Sequence, residues 1–277
     1  LGLDLHKVFT HNNRDVGTLV FQPYYIRRGN LLGASSHNQE FEREELTWRI
    51  ANFNYTALSK GGFNLRVGHF EIPFGLEQNI DTNGTLRQYT ASDRAIKADW
   101  GLSINGVLPS YEYEVALTRG SGNMIESRES PYVFSGRIGS PSHRKFIVGA
   151  SWFYGEVLRD VGITERSKLG LDLAYYHNHW EWLAELSFGE SDEQDTANGL
   201  LELSWRDARE RYHIYVQVKH QQIRQLHWDS SQQVVAGLKW RPYRNVSVSA
   251  QYQHQFGELN LQQTSDMLSL QLRYRFE

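Results

Sequence analysis

The stretch "LGLDLAYYHNHWEWLAELSF", residues 169–188, contains two runs of alternating apolar and polar residues joined by a short polar link. Successive side chains of a β-strand point to opposite faces, so in the first run Leu171 and Asp172 lie on opposite faces. In the second run, Trp182 and Glu181 are separated in the same way. The stretch therefore predicts a β-hairpin in which each strand has one apolar face and one polar face that contacts water.

The same alternation recurs along most of the 277 residues and predicts about fifteen strands, with no convincing helical pattern. At roughly ten residues each, these strands match tilted membrane-spanning strands and exceed the mean globular strand. They are expected near 1–10, 16–26, 43–57, 62–71, 97–107, 110–119, 131–139, 144–154, 167–177, 180–189, 198–206, 211–220, 231–241, 245–256 and 265–276.

The predicted connections alternate between very short links and longer ones. The longer links are expected near 27–42, 72–96, 120–130, 155–166, 189–197, 221–230 and 257–264. Short turns at one rim and long loops at the other are typical of outer-membrane barrels. The sequence thus predicts an all-β fold, a transmembrane antiparallel up-and-down β-barrel of about sixteen strands, with fourteen as the alternative. Because the count is odd, the first strand is expected to be missing upstream of Leu1.

A soluble all-β fold would also alternate, and the positions of the aromatic residues favour the barrel. Trp180, Trp205, Trp240 and Tyr274 fall on apolar faces near predicted strand ends. Two aromatic girdles around an aliphatic band would place them so. No linker composition divides the chain, so residues 1–277 are expected to form one domain.

Composition excludes several classes of function. The chain has no Cys, which excludes disulfides, thiolate metal sites and covalently attached c-type haem. The formal charge is -3 and the basic residues are not clustered, so nucleic acid is not an expected partner. No spacing singles out a nucleophile and a base, and the pair His177 and His179 does not define a metal site. Neither an enzyme activity nor a cofactor is expected. The chain begins with Leu1, which suggests a processed chain or one whose beginning is missing.

The motif "LRVGHFEIPFGLE", residues 65–77, is followed by a polar stretch, by "ADWGLSINGVL" and by "YEYEVALTRGSG". In order and spacing, residues 46–120 resemble the phosphate-selective porin O/P family of bacterial outer-membrane porins. The resemblance implies a sixteen-stranded, often trimeric anion porin in the outer membrane of a Gram-negative bacterium. A Lys commonly follows the Phe of that family motif, whereas this chain has Glu71.

The same motif predicts where a strand stops. Pro73 lacks a backbone donor and cannot continue a central ladder, and Gly75 permits a sharp turn. The following loop, 72–96, is expected to fold into the lumen and narrow it, although it could instead cap the mouth or pack on a neighbouring subunit. The candidate constriction residues are Glu71, Glu77, Asp81, Arg87, Asp93, Arg94 and Lys97.

Strand parity also gives the charges that would line the lumen. The candidates are Arg49, Arg66, Arg137, Lys145, Asp172, Glu181, Glu185, Glu202, Arg206, Lys219, Lys239, Arg273 and Arg275, together with Asp99, Glu112 and Glu114. The two signs nearly balance. An acidic wall around Glu181, Glu185 and Glu202 could oppose a basic wall at the end of the chain and set an electric field across the lumen. Alternatively, the charges could simply form a solvated wall.

Together these patterns predict a porin for passive, weakly selective diffusion of small polar or ionic solutes, anions among them. Outer-membrane lipid, lipopolysaccharide and a homotrimeric assembly are the expected partners. The alternative is a structural barrel that sheathes a periplasmic electron-transfer partner such as a multihaem cytochrome. That alternative requires a lumen without folded-in loops. The Gln-rich stretch 251–265 could bind sugars or serve as an uncharged lining.

Overall fold

The computed structural model contains one antiparallel sheet in which every strand follows its neighbour in the chain. It describes residues 1–28, 43–78, 80, 82, 85–89, 94–124, 129–159, 162–224, 227–257 and 265–276. The strands are β1 (Leu5–His11), β2 (Arg14–Arg28), β3 (Arg43–Tyr55), β4 (Asn64–Glu71), β5 (Ala98–Val107), β6 (Glu112–Thr118), β7 (Val133–Gly139), β8 (Phe146–Arg159), β9 (Gly162–His177), β10 (Trp180–Ser191), β11 (Gln194–Arg206), β12 (Tyr212–Arg224), β13 (Trp228–Tyr243), β14 (Val246–Gly257) and β15 (Ser265–Tyr274).

The strand order β1 to β15 is that of an up-and-down β-barrel, which confirms the predicted fold class. The fifteen described strands agree with a barrel of about sixteen. Within the described residues, no ladder joins β15 to β1, and in an up-and-down sheet these two strands run parallel. The only helical element of the described ranges is a 3₁₀ turn at Gly75–Gln78, and none of their helices is long and apolar enough to span a membrane.

The hairpin of residues 169–188 is present as predicted, with Asn178 at positive φ in the turn between β9 and β10. Leu186 lies opposite Leu171, and both side chains are more than half exposed on the outer surface. Glu185 lies opposite Asp172 on the other face, and both are buried. The outward apolar band is therefore the surface that a bilayer would cover.

Three of the predicted long loops are wrong. At 155–166, 189–197 and 221–230, the strands continue almost to the turn, so that Glu190 pairs with Asp195 across a turn at Asp192 and Glu193. Beyond the height of a hydrocarbon layer both faces of a strand can be polar, because backbone pairing persists where the alternation of hydrophobicity has ended. The sequence pattern therefore predicts only the part of each strand whose outward face is apolar.

The interior is not uniformly wet. One buried apolar cluster contains Ile147, Ala174, Leu183 and Leu200, which project from β8 to β11. A second contains Val133, Phe153 and Val157 from β7 and β8. Both clusters are completed by residues of the segment that follows β4, and this packing positions the candidate site.

Candidate pore constriction

The segment after β4 turns away from the sheet at the motif that contains Pro73. The Ile72 backbone N–H donates to the Lys97 carbonyl at 3.0 Å, which closes the base of the loop. Gly75 has a φ of 62° and lies beside Glu185, and a Cβ at this position would come within 2.1 Å of the Glu185 carboxylate. The segment can pass this carboxylate only because residue 75 has no side chain.

Two backbone donors attach this turn to the barrel wall. The Gly75 N–H donates to Ser151 Oγ at 3.0 Å, and the Leu76 N–H donates to Glu185 Oε2 at 2.8 Å. Ser151 lies on β8 and Glu185 on β10, so the turn spans the inward face of the sheet across β9. Both bonds are buried, where leaving a donor unpaired is costly.

Phe74 inserts into the inner wall and is fully buried. It packs with Phe153 and Val157, and its ring lies over Gly170, where a Cβ would come within 2.6 Å of the ring. The guanidinium of Arg94 lies 4.6 Å from the ring centre on another side. Phe74 is thus enclosed by apolar wall residues and a cation, which favours a fixed position.

Leu76 and Tyr89 form a second apolar contact between the loop and the wall. They pack with Leu183, Leu200 and Ala174 on β9 to β11. Burial raises the pKa of the Tyr89 hydroxyl well above its usual range. The loop therefore carries its own apolar face, which covers the apolar inward residues of this wall.

Arg94 forms one ion pair within the loop and another with the barrel wall. It donates to Glu77 at 2.7 Å within the loop and lies 3.5 Å from Glu185 of β10. All three side chains are almost completely buried. Lys97 adds a cation 3.7 Å from Glu77 and donates to Thr82 Oγ1. Two buried carboxylates are thus compensated by loop cations.

Arg87 makes similar contacts with carboxylates of β10 and β11. Its Nε donates to the Glu202 carboxylate at 2.9 Å, and its Nη2 lies 3.3 Å from Glu181. Burial alone would lower the pKa of Arg87, but its hydrogen bonds to Glu202 raise the pKa above its usual range. Glu181 is also bound by Arg206 at 2.9 Å, so the three predicted acidic wall residues all face loop or wall arginines.

The other described lining charges are also mostly paired. Arg66 donates to Glu114 at 2.8 Å, and Arg137 makes a two-pronged contact with Asp172 at 2.9 and 2.6 Å. Glu112 lies 3.5 Å from Arg137. Arg66, Arg137 and both glutamates line a cavity of about 370 Å³ beside the loop, together with Glu71, so cations and carboxylates are mixed in this part of the lumen.

Basic residues gather at the short-turn ends of β11 and β13. Lys239, Arg206 and Arg241 line a second cavity of about 200 Å³. Arg273 faces Ser247 on the lumenal side of β15, and the Arg275 N–H donates to the Asn245 carbonyl nearby. Of these, Lys239, Arg273 and Arg275 are the residues expected to form a basic wall.

The remaining predicted site residues lie elsewhere. Lys219 donates to the Gln88 carbonyl at 2.9 Å and so touches the loop. Glu71 and Arg49 line a further cavity at the end of β4, and Lys145 is exposed in the turn after β7. The Asp99 carboxylate accepts backbone N–H groups of Trp100, Gly120 and Gly122. Asp81 and Asp93 lie outside the described residues.

Sequence reasoning missed the apolar part of this site. Phe74, Leu76 and Tyr89 were not among the candidates, although all three are buried in apolar clusters with residues of the wall. A signal was present in Leu183 and Leu200, which occupy inward positions where an aqueous lumen would favour polar side chains. Within the described residues, no group of three or more His, Cys, Asp or Glu side chains could hold a metal ion.

Comparison with solved structures gives barrels as neighbours. OmpF of Salmonella typhi matches with a TM-score of 0.63 at 11% identity, covering 99% of this chain and 95% of that chain. An anion-selective porin from Comamonas acidovorans matches with 0.63 at 8%, covering 87% and 74%. The trimer form of OmpT, an outer membrane protein of Vibrio cholerae, matches with 0.62 at 10%, covering 93% and 86%.

At these identities the likeness establishes the fold, which is that of outer-membrane β-barrels. No protein-family model and no curated protein matches the sequence. The resemblance to the phosphate-selective porins therefore rests on residues 46–120 alone.

Proposed function

We propose that this chain is a channel of the bacterial outer membrane through which small polar or ionic solutes diffuse passively. The observation that carries the proposal is the packing of the loop after β4 against the inward faces of β8 to β12, while the outward faces remain apolar. Barrels of about sixteen strands leave an aqueous channel. A loop fixed on one wall narrows that channel without filling it.

The selectivity among ions is proposed to be weak. Glu77, Glu181, Glu185 and Glu202 would attract cations, but Arg87 and Arg94 pair with them within the loop and wall. Paired charges of opposite sign produce a weaker field in the lumen than an isolated ring of one sign. The basic residues around Lys239 would add a modest preference for anions at one mouth.

Conductance of the purified chain in a planar bilayer tests the proposal. We expect open currents and a reversal potential near zero under a salt gradient. A closed barrel would contradict the channel, whereas open currents with a strong preference for one sign of ion would contradict only the weak selectivity. Heat-dependent migration on a gel is the control for a folded barrel.

The alternative of a barrel that sheathes a multihaem cytochrome is less well supported. It requires a lumen free of folded-in loops, whereas Phe74, Leu76 and Tyr89 of the loop pack on the inner wall. A homotrimer is proposed by analogy with the trimer form of OmpT. Chemical cross-linking of the barrel in membranes would detect it.

A further inference from the structure

The inward face of β13 to β15 differs from the rest of the lumen because amide and hydroxyl side chains predominate on it, with Val235 and Met267 opposite Gln253. Cross-strand pairs place Gln233 opposite Gln255 and Gln251 opposite Ser269. Leu268, Leu270 and Leu272, which alternate with the β15 members of this face, are 70–75% exposed on the outside. The amides therefore face the lumen.

Charge is confined to the two ends of this face. The inward residues of β14 are Ser247, Ser249, Gln251, Gln253 and Gln255. On the flanking strands, the inward charges are Lys239 and Arg273 near the short-turn rim and, by register, Asp229 at the opposite end of β13. We name Gln233, Gln251, Gln253 and Gln255 the amide track.

Hydrogen bonds orient two of these amides. Tyr215 donates its hydroxyl to Gln251 Oε1 at 2.7 Å, a buried bond that fixes Gln251 against the wall. Gln255 Nε2 donates to Ser231 Oγ at 3.2 Å, which leaves its oxygen as an acceptor. The side chains of Gln233 and Gln253 have no hydrogen-bond partner among the described residues. The track thus offers both donors and acceptors without charge.

We propose that the amide track binds neutral polyhydroxylated solutes, that is, saccharides, as they cross the channel. Each sugar hydroxyl both donates and accepts a hydrogen bond, and so does each amide. Opposed residues of neighbouring strands lie roughly 5 Å apart, so one sugar ring can reach more than one amide. The proposal rests on the proposed function, because the track is useful for uptake only if the lumen is open.

The test uses single-channel recording of the full chain with raffinose and with polyethylene glycol of matched hydrodynamic radius. We expect raffinose to interrupt the ion current with resolved dwell times, whereas the glycol reduces the current only by excluding ions. The triple variant Gln233→Met, Gln253→Met, Gln255→Met keeps side-chain length and removes three amides. It should weaken raffinose binding about tenfold or more.

Gln222→Met is the matched control, because Gln222 pairs with Ala197 on the outward face of β12. It should leave raffinose binding unchanged. If the triple variant does not fold, Gln253→Asn, which shortens one amide, should still weaken binding measurably. Equal effects of raffinose and glycol on the wild type, or unchanged raffinose binding in folded track variants, would overturn the proposal.

Failure of the proposed channel function would give a different result in the same recordings. A wild-type barrel that conducts no ions in the absence of sugar would contradict the proposed function. Calorimetric titration of the purified barrel with raffinose would still test the track in that case. Binding that is lost in the triple variant supports the track, and absence of binding to the wild type refutes it.

Discussion

Two walls of the barrel interior share the same alternation along their strands, but their inward faces contact different surroundings. On the loop-bearing wall, β8 to β12, inward side chains such as Leu183 and Glu202 are buried against residues of the loop. On the amide wall, β13 to β15, inward side chains such as Gln253 face the lumen. The outward faces of both walls are apolar. Alternation therefore sets which face meets lipid, whereas the kind of residue on the other face indicates whether it meets water or protein.

The largest expected effect comes from separating the loop from its wall. In Arg87→Leu, Glu202 and Glu181 lose the buried guanidinium that pairs with them, which should cost about 3–5 kcal/mol of loop docking. Loop cleavage by proteinase K in the folded barrel should then become faster by about a hundredfold or more, since roughly 1.4 kcal/mol corresponds to a factor of ten.

The double variant Arg87→Leu, Glu202→Leu is the control. It replaces a buried ion pair by apolar side chains, so it should restore much of the resistance to cleavage. An equally fast cleavage in the double variant would mean that the charge left on Glu202 is not the cause. Unchanged cleavage in the single variant would contradict the docking role of Arg87.

The second prediction compares the outer face of the loop-bearing wall with the inner face of the amide wall. Leu186→Arg places a charge on the outward face near the middle of β10 and should destabilise the barrel in lipid by about 2–4 kcal/mol. Gln253→Arg places the same charge in the lumen and should change stability by less than about 0.5 kcal/mol. Urea titration in vesicles, followed by gel migration, measures both, and similar losses would contradict the assigned faces.

These assignments show how far the sequence alone can reach. Parity correctly placed Glu185 and Asp172 on the inner face, and the apolar band of Leu171 and Leu186 on the outer face. The pairing of Arg87 with Glu202 joins residues 115 positions apart, and no local pattern encodes it. The strand ends beyond the apolar band were also missed, because their pairing depends on backbone hydrogen bonds and not on hydrophobic alternation.

The third prediction concerns the fit of Phe74 on the loop-bearing wall. Gly170→Ala would put a methyl group into the ring and should cost about 1–3 kcal/mol of loop docking. Combining it with Phe74→Leu should cost less than the sum of the two changes, because the smaller side chain makes room. Protease resistance of the loop measures the coupling, and strictly additive costs would mean that the two residues do not touch.

The smallest expected effect lies at the rim of the loop-bearing wall, in the turn between β11 and β12. Asp207 accepts the Tyr212 N–H at 2.7 Å, and this bond lowers the pKa of the Asp207 carboxyl. A lowered pKa means that the ionised carboxylate contributes stability above about pH 4, the unfolded value, and that this contribution is lost as pH falls through the folded pKa.

Asp207→Asn keeps an acceptor but removes the charge, so the variant should resemble the wild type at low pH. The difference in urea midpoint between wild type and variant should therefore be small but measurable at pH 7 and should shrink as the pH falls below about 4. A difference that does not shrink in acid would mean that the shape of the side chain, and not its charge, stabilises the turn. Because the hydrogen bonds of Asp207 lie within its own turn, the protease resistance of residues 72–97 should not change, which separates stability of the rim from docking of the constriction.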